Sequence, residues 1–328
     1  MFRGGPWPAR TGDRIGGVES RITVTLDLRS YAARVRVTDG VYGTELQKLG
    51  LLAGRCPEVL NAEDPAAVEA VARSYVEAGS DVIMTNSLGA NRFVLAAYGL
   101  EDRAGELAEA AARISTRAAE STDAKVFGSF GPTGKIVMMG QTPEGDLFDA
   151  FAETVEALAR GGAEAIVLET FNELAEAQIA LKAAKRACRL PIVVSMAFAY
   201  GPDKAATMMG ETPADLAAMA EADGADAVGA NCGVGPDAHV RVARMLREAT
   251  DLPIWIKPNA GLPVLQDGKT TFPMGPAELA SYVPALLDAG ASFLGGCCGT
   301  TPDHIRAIRR AVDQRQQRAR GPQPEPAN

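Results

Sequence analysis

Three cysteines dominate the chemistry available to this chain. Cys232 stands in Gly229-Ala230-Asn231-Cys232-Gly233, and Cys297 and Cys298 stand side by side in Gly295-Gly296-Cys297-Cys298-Gly299-Thr300. Each motif follows a short apolar run, so the three thiols fall where strands would end. Thiolates are soft ligands that suit Zn²⁺ in tetrahedral geometry, and three protein ligands leave a fourth position open, as in catalytic zinc sites. The flanking glycines allow tight backbone turns around an ion. A vicinal disulfide at Cys297-Cys298 and three small buried residues are the competing readings, since unpaired cysteine is commonly buried. Cys56 and Cys188 lie away from the strand ends and suit packing roles.

Two acids, Asp39 and Glu169, also follow apolar runs. A buried carboxylate is costly unless paired. No arginine stands at a strand end beside them, so the pair suits a cationic ligand group such as an ammonium; capping of a loop or helix start is the alternative. Other motifs carry less. Gly233-Val234-Gly235-Pro236-Asp237-Ala238 has dinucleotide-loop spacing, but no acid ends the next strand. Gly131-Pro132-Thr133-Gly134-Lys135 lacks the first glycine and the metal-binding hydroxyl of a phosphate loop. His239 and His304 fall in first turns of helices, where solvated or capping roles are expected. Phe127, Phe130 and Phe171 read as barrel packing rather than as a cage for a cation.

The elements that must position these residues repeat as strand, loop and amphipathic helix. Strand runs are Val35–Thr38, Asp81–Thr85, Lys125–Phe130, Ala165–Glu169, Ile192–Met196, Ala227–Asn231, Ile254–Lys257 and Ser292–Gly295. They are short and apolar, as strands buried on both faces must be. The helical patterns are Ala66–Ala78, Ala104–Glu120, Leu147–Arg160, Glu173–Arg186, Pro213–Ala222, Pro236–Glu248, Pro276–Asp288 and Pro302–Val312. Several open with proline in the first turn and close on glycine. Eight such units predict a single-domain α/β fold, a (β/α)8 TIM barrel, with the chemistry at the carboxyl ends of the strands. The barrel is expected over residues 31–313, with a poorly ordered extension over 1–30 and a disordered tail over 314–328.

Composition narrows the function classes. Lys and Arg total 33 against 41 Asp and Glu, a net charge of −8, which argues against nucleic-acid and anionic-membrane partners. No apolar run is long enough to span a bilayer, and the amino-terminal residues lack the apolar core of a secretory signal. Five clustered cysteines suit a reducing compartment, and the expected location is cytoplasmic.

At its cysteine motifs the sequence resembles the homocysteine S-methyltransferase family, most closely the N-terminal homocysteine-binding module of cobalamin-dependent methionine synthase. The likeness extends to Asp39-Gly40-Val41-Tyr42-Gly43-Thr44, Thr85-Asn86-Ser87, Gly131-Pro132-Thr133, Glu169-Thr170-Phe171 and Pro258-Asn259-Ala260-Gly261-Leu262-Pro263. The resemblance implies a zinc-bearing barrel with Cys232, Cys297 and Cys298 as ligands and Asn259 as the fourth ligand before substrate arrives. It implies that Asp39 and Glu169 hold the amino group of homocysteine, while the Gly40–Thr44 turn offers N–H groups to its carboxylate. One departure is Ala72, where many relatives carry histidine.

The expected function is zinc-dependent methylation of homocysteine to methionine. A thiol is mostly protonated at pH 7, and zinc binding deprotonates it; attack on an activated methyl group then yields a thioether, a poorer ligand. The 328 residues hold no folate or cobalamin module and no Asp-x-His-x-x-Gly corrinoid motif, so the expected donor is a small molecule or a separate corrinoid protein. Betaine fits poorly, because Thr170 replaces the aromatic of betaine enzymes. The alternatives are another thiol acceptor, one component of a multi-protein corrinoid system, and a non-catalytic barrel with structural zinc.

Overall fold

Strands that read as short apolar runs are strands buried on both faces. The computed structural model describes residues 25–50, 54–266 and 269–320. In it the runs become β1 (Arg36–Val37), β2 (Val82–Met84), β3 (Lys125–Phe130), β4 (Ala165–Phe171), β5 (Ile192–Met196), β6 (Ala227–Asn231) and β7 (Ile254–Lys257). An antiparallel hairpin, β8 (Val264–Gln266) and β9 (Lys269–Thr271), comes next, followed by β10 (Ala291–Leu294). The order across the main sheet is β1-β10-β7-β6-β5-β4-β3-β2, every pairing parallel. A parallel bridge from Thr38 to Val82 joins its two ends, so the sheet closes into the expected (β/α)8 barrel.

Two apolar layers hold it. Outside the barrel, the strands' outward residues pack against helices such as Pro65–Glu77, Ala104–Ala119, Glu144–Arg160 and Leu174–Ala187. Inside, Phe127, Trp255 and Phe293 fill the amino-terminal half, with Phe127 stacked on Trp255 at 6.0 Å. A short helix, Leu28–Tyr31, plugs that end; Asp27 caps it, and the Tyr31 hydroxyl donates to the Asp81 carbonyl. Among the described residues that end is filled by side chains, which leaves the carboxyl ends of the strands for a ligand site.

Local differences have local causes. The described fold begins before residue 31, and its last helix, Pro302–Arg320, runs beyond residue 313. Residues 1–24 and 321–328, where most of the expected extension and part of the tail fall, lie outside the described residues. The helix expected over Pro276–Asp288 is two, Pro276–Ser281 and Val283–Asp288, because Pro284 cannot donate to the carbonyl one turn back. The segment read as a turn at Gly40–Thr44 leads into a helix, Tyr42–Lys48. Among the described residues no helix is long and apolar enough to cross a membrane.

Candidate metal centre and substrate pocket

The cysteine loops are bent by the backbone itself. After β6, Cys232 and Gly233 both adopt positive φ, 61° and 72°. That conformation is uncommon for a residue with a side chain, and such strain concentrates at functional positions. It is held by staples to neighbouring strand ends: Cys232 N–H donates to the Lys257 carbonyl, Cys297 N–H to Pro258 and Gly296 N–H to Asp39. Gly296 admits no side chain, since a Cβ there would lie 2.5 Å from Thr300 Oγ1. Thr300 is held in turn, its hydroxyl donating to the Cys297 carbonyl.

These bends bring the three sulfurs together. Their Sγ atoms lie within 4.8 Å of one another, and Cys232 Sγ is 3.7 Å from Cys298 Sγ. A disulfide needs about 2.05 Å. A tetrahedral ion with metal–sulfur bonds of roughly 2.3 Å sets its ligands about 3.8 Å apart. All five cysteines are unpaired, so the vicinal disulfide is not formed. As thiols the three cannot ionise together. Hydrogen bonds from Cys297 and Cys298 pull Cys232 down to about 3. The same contact with Cys232 pushes Cys298 up to about 12 and Cys297 upward as well. A bound cation removes that conflict, so the cluster could hold a metal.

Beside the sulfurs lies a cavity of about 190 Å³, lined by Gly40–Gly43, Glu58, Ser129, Glu169, Lys257 and all three cysteines, among others. Of the two expected acids, Asp39 and Glu169, it is Glu169 that faces it. Its Oε1 accepts from Ser129 Oγ at 2.5 Å. The next residue, Thr170, has φ of 66°. Asn231 pins that strained turn with two hydrogen bonds, its Oδ1 accepting from Thr170 N–H and its Nδ2 donating to Thr170 Oγ1, and is itself held by Ser195 Oγ, which donates to the same Oδ1.

Asp39 is placed differently. It is fully buried; Oδ2 accepts from the Met84 N–H, and Oδ1 is 2.7 Å from Lys257 Nζ. Burial pushes both carboxyls up, and Lys257 opposes that shift in each. Burial also works against the Lys257 ammonium, yet Asp39 and Glu169 hold it above the ordinary lysine range. The acids therefore do have a strand-end cation beside them, and it is a lysine. Lys257 closes β7 in plain view, but only the register β6–β7–β10–β1 aims it across the barrel at Asp39.

The remaining expected residues divide. Gly40 lines the cavity, and a Cβ there would come within 2.6 Å of the Tyr75 hydroxyl. Thr44 sits in the first turn of Tyr42–Lys48, outside the lining residues, its buried hydroxyl without a partner among the described residues. Asn259 accepts the Cys298 N–H on Oδ1, and its side chain helps lower Cys232. His239 is buried rather than solvated, bonded through Nδ1 to the Gly235 carbonyl. His304 accepts the Thr301 N–H and reaches the Met274 carbonyl, a capping role. Cys56 is buried against Glu58, which burial and the nearby carboxylate translate into a thiol pushed up to about 12.

Comparison with known proteins places this arrangement. The homocysteine S-methyltransferase profile matches residues 36–312. The chain belongs to that family. It is 36% identical over 305 residues to methionine synthase of Mycobacterium leprae (strain TN), covering 87% of this chain and 25% of that protein. It is 36% identical over 299 residues to methionine synthase of Mycobacterium tuberculosis (strain ATCC 25618 / H37Rv), covering 85% and 25%. The chain thus spans about a quarter of the length of these relatives. Its fold matches the metallated form of the homocysteine methyltransferase MmuM from Escherichia coli, with a TM-score of 0.73, 24% identity, and coverage of 87% of this chain and 99% of that one. The oxidized form of the same enzyme matches with a TM-score of 0.68 and 26% identity, covering 84% and 95%.

Proposed function

We propose that this protein is a zinc-dependent S-methyltransferase that converts homocysteine to methionine. The observation that carries the reading is the convergence of three cysteine sulfurs, at metal-ligand separation, on a cavity in a barrel of this family. Cys232, Cys297 and Cys298 would hold the ion, and Asn259, beside Cys232 and Cys298, would complete the set before substrate binds. Zinc, when bound, would supply the charge that keeps the acceptor sulfur a thiolate near neutral pH.

The chain's own residues orient the acceptor. Glu169, fixed by Ser129, faces the cavity and suits the substrate ammonium. Asp39 would act with it, as the family resemblance implies. The helix Tyr42–Lys48 has no side-chain cap, so its first-turn N–H groups lack intrahelical partners beside the cavity. They would take the substrate carboxylate, with the Gly40–Thr44 segment as the cradle. The acceptor sulfur forms a bond to the methyl carbon while the donor's bond to that carbon breaks, and the donor departs with the electron pair. Likeness to methionine synthase supports a methylated corrinoid as donor, carried on a partner or on a further part of a longer protein. S-methylmethionine fits the same chemistry. Thiol ligands of this kind suit the reducing cytoplasm.

The test is methionine formation, read by mass spectrometry. Zinc-loaded protein would receive homocysteine and, in separate reactions, methylcobalamin, S-methylmethionine, methyltetrahydrofolate or betaine. Methionine in one reaction establishes the activity and the donor class together. A zinc-loaded protein that binds no homocysteine and forms no methionine with any donor would overturn the reading.

A further inference from the structure

Asn231 is fully buried, and each hydrogen-bonding position of its amide has a partner. Its Oδ1 accepts from Thr170 N–H at 2.9 Å and from Ser195 Oγ at 2.7 Å. Of its two Nδ2 hydrogens, one goes to Thr170 Oγ1 at 2.7 Å and the other is left for Cys297 Sγ, 3.9 Å from Nδ2. That last contact strengthens when Cys297 is a thiolate, as metal binding requires. A flipped amide would set Nδ2 against the Thr170 N–H, so the partners fix its orientation. Asn231 also ends β6 directly before Cys232. One residue thus joins the turn that carries Glu169 to two of the three cysteines, to Cys232 through the chain and to Cys297 through the amide.

We propose that Asn231 is a positioning residue that sets the length of the methyl acceptor. The inference rests on the thiol-acceptor reading above, in which the acceptor sulfur goes to the metal held by the cysteines and its ammonium to Glu169 with Asp39. In the acceptor those two ends are joined by a fixed number of methylenes. In the protein their binding groups are joined through Asn231. Ser129 holds the Glu169 carboxylate, but the backbone after it is held by Asn231. Thr170, at a φ of 66°, would relax without those two bonds, and Glu169 would move with it. Ser195, buried on β5, braces the amide from a third strand. A buried amide with all its partners in place is stiff, because any rotation leaves a polar group unpaired. The link from ammonium site to metal ligands is therefore rigid in the direction that measures chain length.

The experiment measures, by calorimetry on the zinc-loaded protein, the binding of three amino-acid thiols that differ by one methylene each: cysteine, homocysteine and 2-amino-5-mercaptopentanoate. Zinc content is read after each titration, so that extraction of the metal is not scored as binding. On the wild-type protein homocysteine should bind about ten- to a hundredfold more tightly than either neighbour, the worth of one methylene in a shaped site. In Asn231→Ala that preference should narrow to within a few-fold. A merely structural loss would weaken all three thiols alike and leave their ratios intact. Should Asn231→Ala fail to fold, to keep zinc or to bind any thiol, Thr170→Val, which removes only the hydroxyl that Asn231 Nδ2 donates to, must narrow the preference in the same direction. Ratios unchanged in the variant that can be titrated, or a wild-type protein with no preference for homocysteine over its neighbours, would overturn the assignment. A wild-type protein that holds zinc but binds none of the three thiols would instead remove the acceptor reading beneath it.

Discussion

Replacing one member of the Asp39–Lys257 pair should harm the fold more than replacing both. Lys257 Nζ and Asp39 Oδ1 are 2.7 Å apart, with side chains 3% and 0% exposed. At that separation and an effective dielectric of about 20, the attraction is roughly 6 kcal/mol. Desolvating two charges costs several kcal/mol each, so the pair as a whole is close to neutral for stability. Removing one partner leaves the other buried and unpaired, at a cost of about 3–5 kcal/mol. Asp39→Asn is the cleaner acid variant, because an amide oxygen can still accept the Met84 N–H. The expectation is a loss of about 3–5 kcal/mol for Asp39→Asn and for Lys257→Met separately, and a smaller loss for the double variant than for either single one. Urea denaturation followed by circular dichroism and by tryptophan fluorescence would measure it, since Trp255 is buried inside the barrel and reports its opening. Additive losses, with a double variant near 6–10 kcal/mol, would show that the two groups do not act as a pair and would refute this reasoning.

Three further outcomes follow from the site. Cys297→Ala should lose stoichiometric metal in elemental analysis, whereas Cys188→Ala, away from the cluster, should keep it; retained metal in Cys297→Ala would sink the ligand set. Cys297 and Cys298 are held above the ordinary thiol range and Cys232 far below it. At pH 7 metal uptake should therefore release about two protons, affinity should rise with pH, and the buffer dependence of the binding enthalpy should report that number. Gly296→Ala should force Thr300 away from the Cys297 carbonyl and weaken metal binding more than it lowers the urea midpoint, since the crowding is local to the cysteine loop; an unchanged metal affinity would count against that placement.

Much of the architecture was legible because it depends on local pattern. Runs such as Ile192–Met196 and Ala227–Asn231 are apolar on both faces, which only a buried parallel strand needs, and both match the observed strands residue for residue. Pro213 after Thr212 marks a helix start, and the structure adds the reciprocal capping bonds between Thr212 and Asp215. Once eight such units are counted, a barrel puts every strand end on one rim, so Cys232, Cys297 and Cys298 could be grouped from spacing alone. The division of Pro276–Asp288 was also written in the chain, at Pro284.

What the chain by itself determined is the alternation of elements, the side of the barrel on which chemistry occurs, and the residue types available there. Those follow from hydrophobic period and turn residues, which act over a few positions. Which strand-end groups meet was decided only by tertiary structure. Asp39 and Lys257 are separated by most of the chain, yet barrel closure sets β1 two strands from β7 and buries their charges together. The same closure leaves Glu169 facing the cavity and Asp39 beneath it, although both end strands in the same way. Coulombic pairing and desolvation depend on distance and burial, and neither quantity exists until the sheet has closed.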